Sequence, residues 1–260
     1  MPYSIIFLLF FCSVTFAFER PEVVSRASTS QIVSVSTDEW PPFRIANQSG
    51  GFSGFDIDLL GAITEITDLQ FNVKRTPWAR ALKQLQYNQV NMMTGLAYTK
   101  ERALYIDYIE PPYFICHPAF YIQTSLKKKI KTYQELYQYK IGYVLQSAYF
   151  EPFDSDPKMR RHGVVTESQL IGMAAKGRID LFIGSDCHVD YEISQQELWG
   201  VLGKVEYQPE QNHGLYLGIA KHQNVNGLAS KLKSALIELQ RTGRLQAIQD
   251  RYFPDTSRGK

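Results

Sequence analysis

Two cysteines that each precede a histidine are the residues whose types could bind a metal ion. Cys116 precedes His117, and Cys187 precedes His188. Thiolates and imidazoles are ligands that zinc prefers, but adjacent residues of a strand point to opposite faces, and no CxxC or HxxxH spacing accompanies the pairs. A disulfide and two separate buried thiols are the other interpretations. The sequence therefore predicts no metal and no cofactor, and it leaves a Cys116–Cys187 disulfide open.

Catalytic chemistry has little support in the pattern of polar residues. The sequence contains no Gly-x-Ser-x-Gly motif, Walker loop or zinc-hydrolase motif. General acids are available in Glu151, Glu167, Asp186 and His188, but their spacing singles out no catalytic pair. We therefore expect a protein that is not an enzyme.

The composition is that of a globular protein without a nucleic-acid partner. The chain has 260 residues, of which 44% are hydrophobic and 13% aromatic. This is enough apolar material for one large core or two small ones. The 28 basic and 26 acidic side chains give a net charge of +2. Because these charges are spread along the chain, no concentrated positive field is expected.

The N-terminus resembles a secretory signal peptide. Ser4 to Ala17 is uncharged and ends in Thr15-Phe16-Ala17, with small residues at the two positions that signal peptidase reads. About 14 apolar residues are too few to span a bilayer, which needs roughly 20. We expect residues 1–17 to be removed and the protein to be periplasmic, without stable membrane insertion. Lipidation at Cys12 is the alternative, but bulky Phe11 precedes it.

The elements that must position any site alternate between strands and helices. In the first half the apolar spacing predicts strand, helix, strand, helix, strand over 32–36, 55–66, 71–74, 78–86 and 90–94. A second unit has predicted helices over 132–139 and 167–176, with extended runs over 141–145 and 179–183. An extended stretch over 215–220 and helices from Leu228 and Leu245 follow. This alternation predicts an α/β fold whose ligands lie beyond the carboxyl ends of the strands.

Six segments in order then resemble the family 3 extracellular solute-binding proteins, the amino-acid-binding type of ABC importers. They are Gly51-Phe-Ser-Gly-Phe-Asp-Ile-Asp58 with Trp78, Thr99-Lys-Glu-Arg102, Ile106-Asp-Tyr-Ile-Glu-Pro-Pro-Tyr113, Ile141-Gly-Tyr-Val-Leu-Gln146, Gly177-Arg-Ile-Asp180 and Leu239-Gln-Arg-Thr-Gly243. The resemblance covers the whole mature chain. It implies a two-lobed periplasmic-binding-protein fold of type II, the Venus flytrap.

The resemblance also implies how the chain is divided. Lobe 1 is discontinuous and comprises residues 18–115 and 214–260, while residues 116–213 form lobe 2. Crossing segments near Phe114 and Gln211 act as hinges. Binding of a small polar ligand, an amino acid or a related carboxylate, shifts the lobes from open to closed.

Arg102 and Trp40 are the first ligand-binding candidates. In proteins similar to this one the arginine of Thr-x-x-Arg holds the ligand carboxylate, because a guanidinium offers two parallel donors to it. Trp40, in Asp38-Glu-Trp-Pro-Pro-Phe43, occupies the position of an aromatic ring against the ligand. A surface ion pair for Arg102 and plain packing for Trp40 are the alternatives.

The chain departs from the amino-acid pattern at several predicted site positions. Gly95 and Ala97 stand where the family often has Ser or Thr, so hydroxyl donors are lost. The acid expected five residues after Asp180 is Ser185, and Asp186 follows it one place later. A one-residue shift on a strand reverses the direction of a side chain, so Asp186 binds the ligand only if a bulge or loop re-aims it.

Two further positions concern the second lobe and a second charge. Ser147 and Tyr149 stand where lobe 2 meets the carboxylate, and Tyr149 is bulkier than the usual Thr. Arg80 lies near the start of a predicted helix, where it faces either solvent or the cleft. If Arg80 and Arg102 both face the cleft, the ligand is a dicarboxylate or another doubly anionic molecule.

The implied partners are a small-molecule ligand and an ABC permease, with a monomeric binding protein. Two alternatives stay open. A sensory module that signals occupancy to a receptor needs the same closing lobes. A cyclohexadienyl dehydratase-like enzyme on the same scaffold needs a general acid in the cleft.

Overall fold

The computed structural model describes Met1, residues 30–126 and residues 128–254, so the predicted signal peptide lies outside the described residues. In chain order the elements are β1 Gln31–Thr37, β2 Ile45–Ala46, β3 Phe52–Ser53, α1 Phe55–Ile66, β4 Leu69–Arg75, α2 Trp78–Gln86, β5 Met92–Leu96, β6 Ile106–Cys116, β7 Pro118–Gln123, β8 Ile141–Val144, β9 Arg161–Val164, α3 Glu167–Ala175, β10 Leu181–Ser185, α4 Asp186–Gln195, β11 Leu202–Lys204, β12 His213–Ala220, α5 Leu228–Arg241 and α6 Arg244–Tyr252. No helix among these residues is long and apolar enough to cross a membrane.

The first lobe is built on a five-stranded sheet with the order β4-β1-β5-β12-β6. β1 runs parallel to β4 and β5, whereas β12 runs antiparallel to β5 and β6. Helices α1, α5 and α6 cover one face and bury a core that includes Phe55, Leu59, Leu232 and Leu236. α2 covers a second cluster around Leu82 and Leu85. This lobe draws on the chain before and after the second sheet, so it is discontinuous, as predicted.

The second lobe is built on another five-stranded sheet, with the order β11-β7-β10-β8-β9. β10 pairs parallel with β8 and antiparallel with β7, and β8 pairs parallel with β9. Helices α3 and α4 pack over one apolar cluster, which contains Leu170 and Val189. A largely aromatic cluster around Phe120 and Phe153 contains other buried residues of this lobe.

The two segments that connect the sheets lie side by side. The end of β6 pairs antiparallel with the start of β12, with Cys116 opposite His213 and Phe114 opposite Leu215. A Cys116–Cys187 disulfide joins the last residue of β6 to the start of α4. The structure therefore selects the disulfide among the three interpretations of the cysteines.

The predicted elements are present, with one change of type. The segment predicted as a helix over 132–139 forms only a 3₁₀-helix over Gln134–Gln138. Its single fully buried side chain is Leu136, so it lacks the apolar stripe that stabilises a longer α-helix.

Candidate functional site

A cavity of about 100 Å³ lies between the two lobes. Six of the eight predicted site residues line it: Trp40, Gly95, Ala97, Arg102, Ser147 and Tyr149. Gly95 lies in β5, and the other five residues lie in the segments that follow β1, β5 and β8. Ligand sites of α/β folds form at this edge because the loops after parallel strands converge there.

Arg102 is the central cation of this cavity. Its side chain is buried, with 7% of the residue exposed. Nη1 donates to the Ala97 carbonyl at 3.0 Å and Nη2 donates to the Gln146 carbonyl at 2.7 Å. No carboxylate among the described residues lies within 4.0 Å of its guanidinium nitrogens. Burial lowers the pKa of Arg102, but an arginine still stays charged.

The Trp78 ring and the Gln146 carbonyl complete the surroundings of this guanidinium. Arg102 lies over the Trp78 ring at 5.8 Å from its centre, and the indole Nε1 of Trp78 donates to the same Gln146 carbonyl at 3.2 Å. Arg102 and Trp78 belong to the first lobe and Gln146 follows β8 of the second. The two lobes therefore meet directly at this point.

Trp40 lines the cavity and contacts the second lobe. Its ring stacks on Phe43 at 4.6 Å and lies 5.6 Å from the His188 ring. Its indole Nε1 donates to Glu167 Oε2. His188 is also within contact of the first lobe, because its Nδ1 lies against the Pro41 carbonyl oxygen. These contacts join the two lobes beside the cavity.

The structure explains why position 95 is a glycine rather than a serine or threonine. Its φ is +72°, and a Cβ there would lie 2.7 Å from Nη1 of Arg44. Arg44 is held in place by a buried ion pair with Asp56, which also accepts a hydrogen bond from the Tyr113 hydroxyl at 2.9 Å. The Arg44 guanidinium therefore takes the space into which a serine or threonine side chain would project.

Ala97 and Tyr149 present groups other than the hydroxyls of the family pattern. The Ala97 carbonyl accepts from both Arg102 and the Tyr108 hydroxyl, the latter at 3.1 Å. The Tyr149 hydroxyl accepts from the backbone N–H of Val144 at 3.0 Å. Burial raises the pKa of Tyr149 well above its usual value. Tyr149 therefore contributes its neutral ring to the cavity wall.

The remaining two predicted residues, Asp186 and Arg80, do not line the cavity. Asp186 is the first residue of α4, and its Oδ1 accepts from the backbone N–H groups of His117 and Cys187 at 2.8 and 2.7 Å. Asp186 lies beyond the end of β10, so the alternation of a strand does not set its direction, and its carboxylate accepts from nearby backbone N–H groups instead of facing the cavity. Arg80 is exposed on α2.

Glu167 and Ser185 are cavity residues that the sequence did not mark as binding residues. Glu167 begins α3, directly after Thr166 caps that helix, and Ser185 ends β10. The Glu167 Oε1 accepts from the backbone N–H of Ser185 at 3.0 Å. The available signal was an acid three residues beyond the end of β9, which in the sequence is one of several possible acids.

A model of the bacterial extracellular solute-binding proteins, family 3, matches residues 32–255. The chain belongs to this family. This solute-binding protein is 24% identical over 219 residues to the ABC transporter arginine-binding protein 1 of Escherichia coli, covering 83% of this chain and 87% of that one.

Solved structures confirm the two-lobed fold of this solute-binding protein. A histidine kinase sensor domain with similarity to periplasmic binding proteins matches with a TM-score of 0.78 and 18% identity, covering 87% of this chain and 98% of that one. An ancestral arginine-binding protein bound to arginine matches with a TM-score of 0.75 and 22% identity, over 85% of this chain and 98% of its own.

Proposed function

We propose that this solute-binding protein captures a small amino acid or related carboxylate between its lobes for ABC-type uptake. The observation that carries the proposal is the buried guanidinium of Arg102, which faces an interlobe cavity without a carboxylate partner among the described residues. A buried charge without a partner is costly, whereas a ligand carboxylate supplies two charge-assisted hydrogen bonds to it.

Ligand binding is coupled to closure through the region where the two lobes contact each other. Arg102 reaches the Gln146 carbonyl, and the Trp40 indole reaches Glu167. We assign residues 18–115 and 214–260 to lobe 1, residues 116–213 to lobe 2, and the hinges to the neighbourhood of Phe114 and Gln211. A ligand that touches both lobes favours the closed state by its differential affinity for that state.

The charge of the cavity argues against a doubly anionic ligand. That alternative required Arg80 beside Arg102, but Arg80 is exposed outside the cavity. The other cavity arginine, Arg44, is already paired with Asp56. Among the described residues that line the cavity, Arg102 is thus the arginine without a carboxylate partner, which favours a ligand with one carboxylate near it.

The proposal also covers where the protein acts and what happens to its ligand. The protein is exported by its N-terminal signal peptide, with cleavage after Ala17, and acts as a monomer in the periplasm. Its ligand is held by hydrogen bonds and returned unchanged. This is the role that the names of its relatives, which are binding proteins, support.

A thermal-shift screen of the mature protein, from residue 18 onward, tests the proposal. The panel contains amino acids, dicarboxylates, polyamines, sugars and prephenate. A ligand at about 100 times its dissociation constant adds about 2.7 kcal/mol to the free energy of unfolding. We expect an amino acid or a monocarboxylate to raise the melting temperature, and NMR of the incubated mixture to show it unchanged. Hits only among sugars or polyamines, or consumption of prephenate, would contradict the proposal.

Transport is separated from sensing by an uptake assay. In a strain that lacks the gene, we expect uptake of the radiolabelled hit to fall and to return on complementation with the wild type. Normal uptake in the deletion strain would contradict the transport role while leaving ligand binding intact.

A further inference from the structure

The two cysteines and their polar neighbours form a cluster outside the ligand cavity. The Sγ atoms of Cys116 and Cys187 and a carboxylate oxygen of Asp186 lie within 4.8 Å of one another. Nδ1 of His117 lies 3.3 Å from Oδ2 of Asp186. Cysteine, histidine and carboxylate side chains are the groups that bind zinc in proteins. None of these four residues lines the interlobe cavity, so ligand capture there uses none of them.

The alternation of side chains along a strand, which is the reason why the sequence predicts no metal, does not apply to this cluster. β6 ends at Cys116 and β7 begins at Pro118, so His117 lies between two strands. Asp186 and Cys187 begin α4 and do not continue β10. Adjacent residues at such turns of the chain are not forced to opposite faces, and their side chains converge here.

The Asp186 carboxylate is held in an orientation that suits a metal ligand. Its Oδ1 accepts from the backbone N–H groups of His117 and Cys187 at 2.8 and 2.7 Å. Hydrogen bonds of this kind to one oxygen fix a ligating carboxylate and leave its other oxygen for the ion. That other oxygen, Oδ2, is the one beside the His117 ring.

A second cavity gives an ion access to the cluster. It has a volume of about 200 Å³, and both His117 and Asp186 line it. The His117 side chain is 57% exposed and that of Asp186 is 23% exposed. Lys204 also lines this cavity, but its ammonium is paired with the carboxylate of Asp190. The repulsion that Lys204 exerts on an entering cation is therefore offset by its partner.

The oxidation state of the cysteines determines whether the site can bind an ion. In the disulfide the two sulfurs are bonded to each other, whereas zinc binds thiolates. A dithiol reductant supplies two electrons and two protons, so that two thiols replace the S–S bond and the dithiol becomes a disulfide. Zn²⁺ then displaces the two thiol protons, and both thiolates bind it.

We propose that reduction of the Cys116–Cys187 disulfide converts this cluster into a binding site for a divalent cation of the zinc type. The two thiolates and the Asp186 carboxylate bind the ion, and the His117 imidazole completes a tetrahedral set. The ligand atoms of one zinc ion are about 3–4 Å apart, because its bonds are about 2.0–2.3 Å long. Side-chain rotation is therefore enough to close the cluster around it. Like the disulfide, the ion ties the end of β6 to the start of α4.

Zinc titration of the reduced mature protein tests the site. The chain from residue 18 onward is reduced with a water-soluble phosphine, freed of reductant and metal, and titrated with Zn²⁺ in competition with a chromogenic chelator. We expect each reduced chain to bind a single ion and the oxidised protein to bind at least about 100-fold more weakly, because it lacks both thiolates. Zinc should also raise the melting temperature of the reduced protein, since it binds the folded state.

Two matched pairs of variants locate the other ligands in the reduced protein. Asp186→Asn keeps an acceptor for the two backbone N–H groups but loses the charge, and we expect it to weaken zinc binding at least about 10-fold. Asp180→Asn makes the same change at an exposed position of the same lobe and should bind like the wild type. His117→Ala should weaken binding by a similar factor, whereas His222→Ala, at another exposed histidine, should not.

Each contrary result bears on a definite part of the proposal. Equal zinc affinity of the oxidised and reduced wild type overturns it. Equal affinity of reduced Asp186→Asn and wild type also overturns it, because two free thiols, in a folded or an unfolded chain, bind zinc without this carboxylate. Unchanged affinity in His117→Ala overturns the four-residue set. If reduction unfolds the chain, Zn²⁺ must restore its far-UV circular dichroism, and a chain that stays unfolded with zinc contradicts the site.

Discussion

At the scale of single residues, the site combines groups that the sequence motif indicates with groups that only the fold brings together. The Thr-x-x-Arg segment marked Arg102, and the structure buries it in the interlobe cavity. Glu167 lies 65 residues further along the chain, since 167 − 102 = 65. Its proximity depends on how α3 is placed on the second sheet, and no local pattern encodes that placement.

Gly95 offers a test at this scale. Gly95→Ser places a side chain at a φ of +72° and brings its Cβ to 2.7 Å from the Arg44 guanidinium. Because such a backbone conformation alone costs about 1–3 kcal/mol for a residue other than glycine, we expect urea unfolding to show at least that loss. Gly61→Ala is the control, since Gly61 lies in α1 with open space around it and should gain about 0.5–1 kcal/mol. Equal stability of Gly95→Ser and wild type would contradict the steric account.

Asp154 predicts a pH dependence of stability. Burial raises the pKa of Asp154 from its usual 3.8 to about 6. Between these two values the folded protein holds a proton that the unfolded chain has released, so the contribution to stability is full at low pH and is lost as pH rises through about 6. We expect the free energy of unfolding to fall less over this window in Asp154→Asn, which keeps an acceptor for the Tyr149 N–H.

Asp156 is the contrasting control for that measurement. A hydrogen bond from the Tyr137 hydroxyl lowers the pKa of Asp156, so its contribution appears as pH rises and is lost on acidification. The free energy of unfolding, measured by urea at several acidic pH values, should therefore depart from the wild-type pH curve in opposite directions for Asp154→Asn and Asp156→Asn. Parallel curves for wild type and Asp154→Asn would rule out the buried Asp154 as the cause.

At the scale of elements, strongly periodic segments were predictable and short polar ones were not. α1 and α2 have the predicted bounds, because their apolar residues recur at helical spacing around a buried face. β9 has the sequence Arg-His-Gly-Val, which shows no alternation, and its pairing with β8 depends on tertiary contacts. α4 buries only three side chains, so its pattern is weak.

The disulfide provides the test at this scale, since it ties β6 to α4. It closes a sequence separation of 71 residues. By chain entropy alone such a link adds about 4 kcal/mol to the free energy of unfolding. We expect Cys116→Ser/Cys187→Ser to lower the melting temperature markedly. A reductant should lower the wild type to a similar value and leave the double variant unaffected; no effect of reductant on the wild type would contradict the bond.

At the scale of the whole molecule, the two sheets and their paired connecting strands create one cavity that both lobes enclose. The two-lobed fold could be predicted because six segments in order resemble the family that has this fold. The contacts between the lobes could not be predicted. Trp40 and Glu167, for example, are 127 positions apart in the sequence and meet only because of how the two lobes are oriented.

Trp40→Phe tests whether these contacts favour closure. The substitution keeps an aromatic ring against Phe43 but removes the indole N–H that Glu167 accepts. A hydrogen bond to a charged group contributes about 1.5–3 kcal/mol, so we expect small-angle scattering over a ligand titration to show a more open ensemble. Trp199→Phe is matched to it, because it removes an exposed indole bond to Ser194. Identical scattering of Trp40→Phe and wild type would remove this bond from the closing mechanism.

The central claim is that Arg102 grips the carboxylate of a ligand between the lobes, and isothermal titration calorimetry with the best ligand of the thermal screen tests it most directly. Arg102→Ala is compared with Arg80→Ala, which truncates an exposed arginine of the same lobe. Because truncating one partner of a buried charge pair costs about 2–5 kcal/mol, we predict that Arg102→Ala weakens binding at least about 30-fold and that Arg80→Ala binds like the wild type. Unchanged affinity in a folded Arg102→Ala variant would contradict the account.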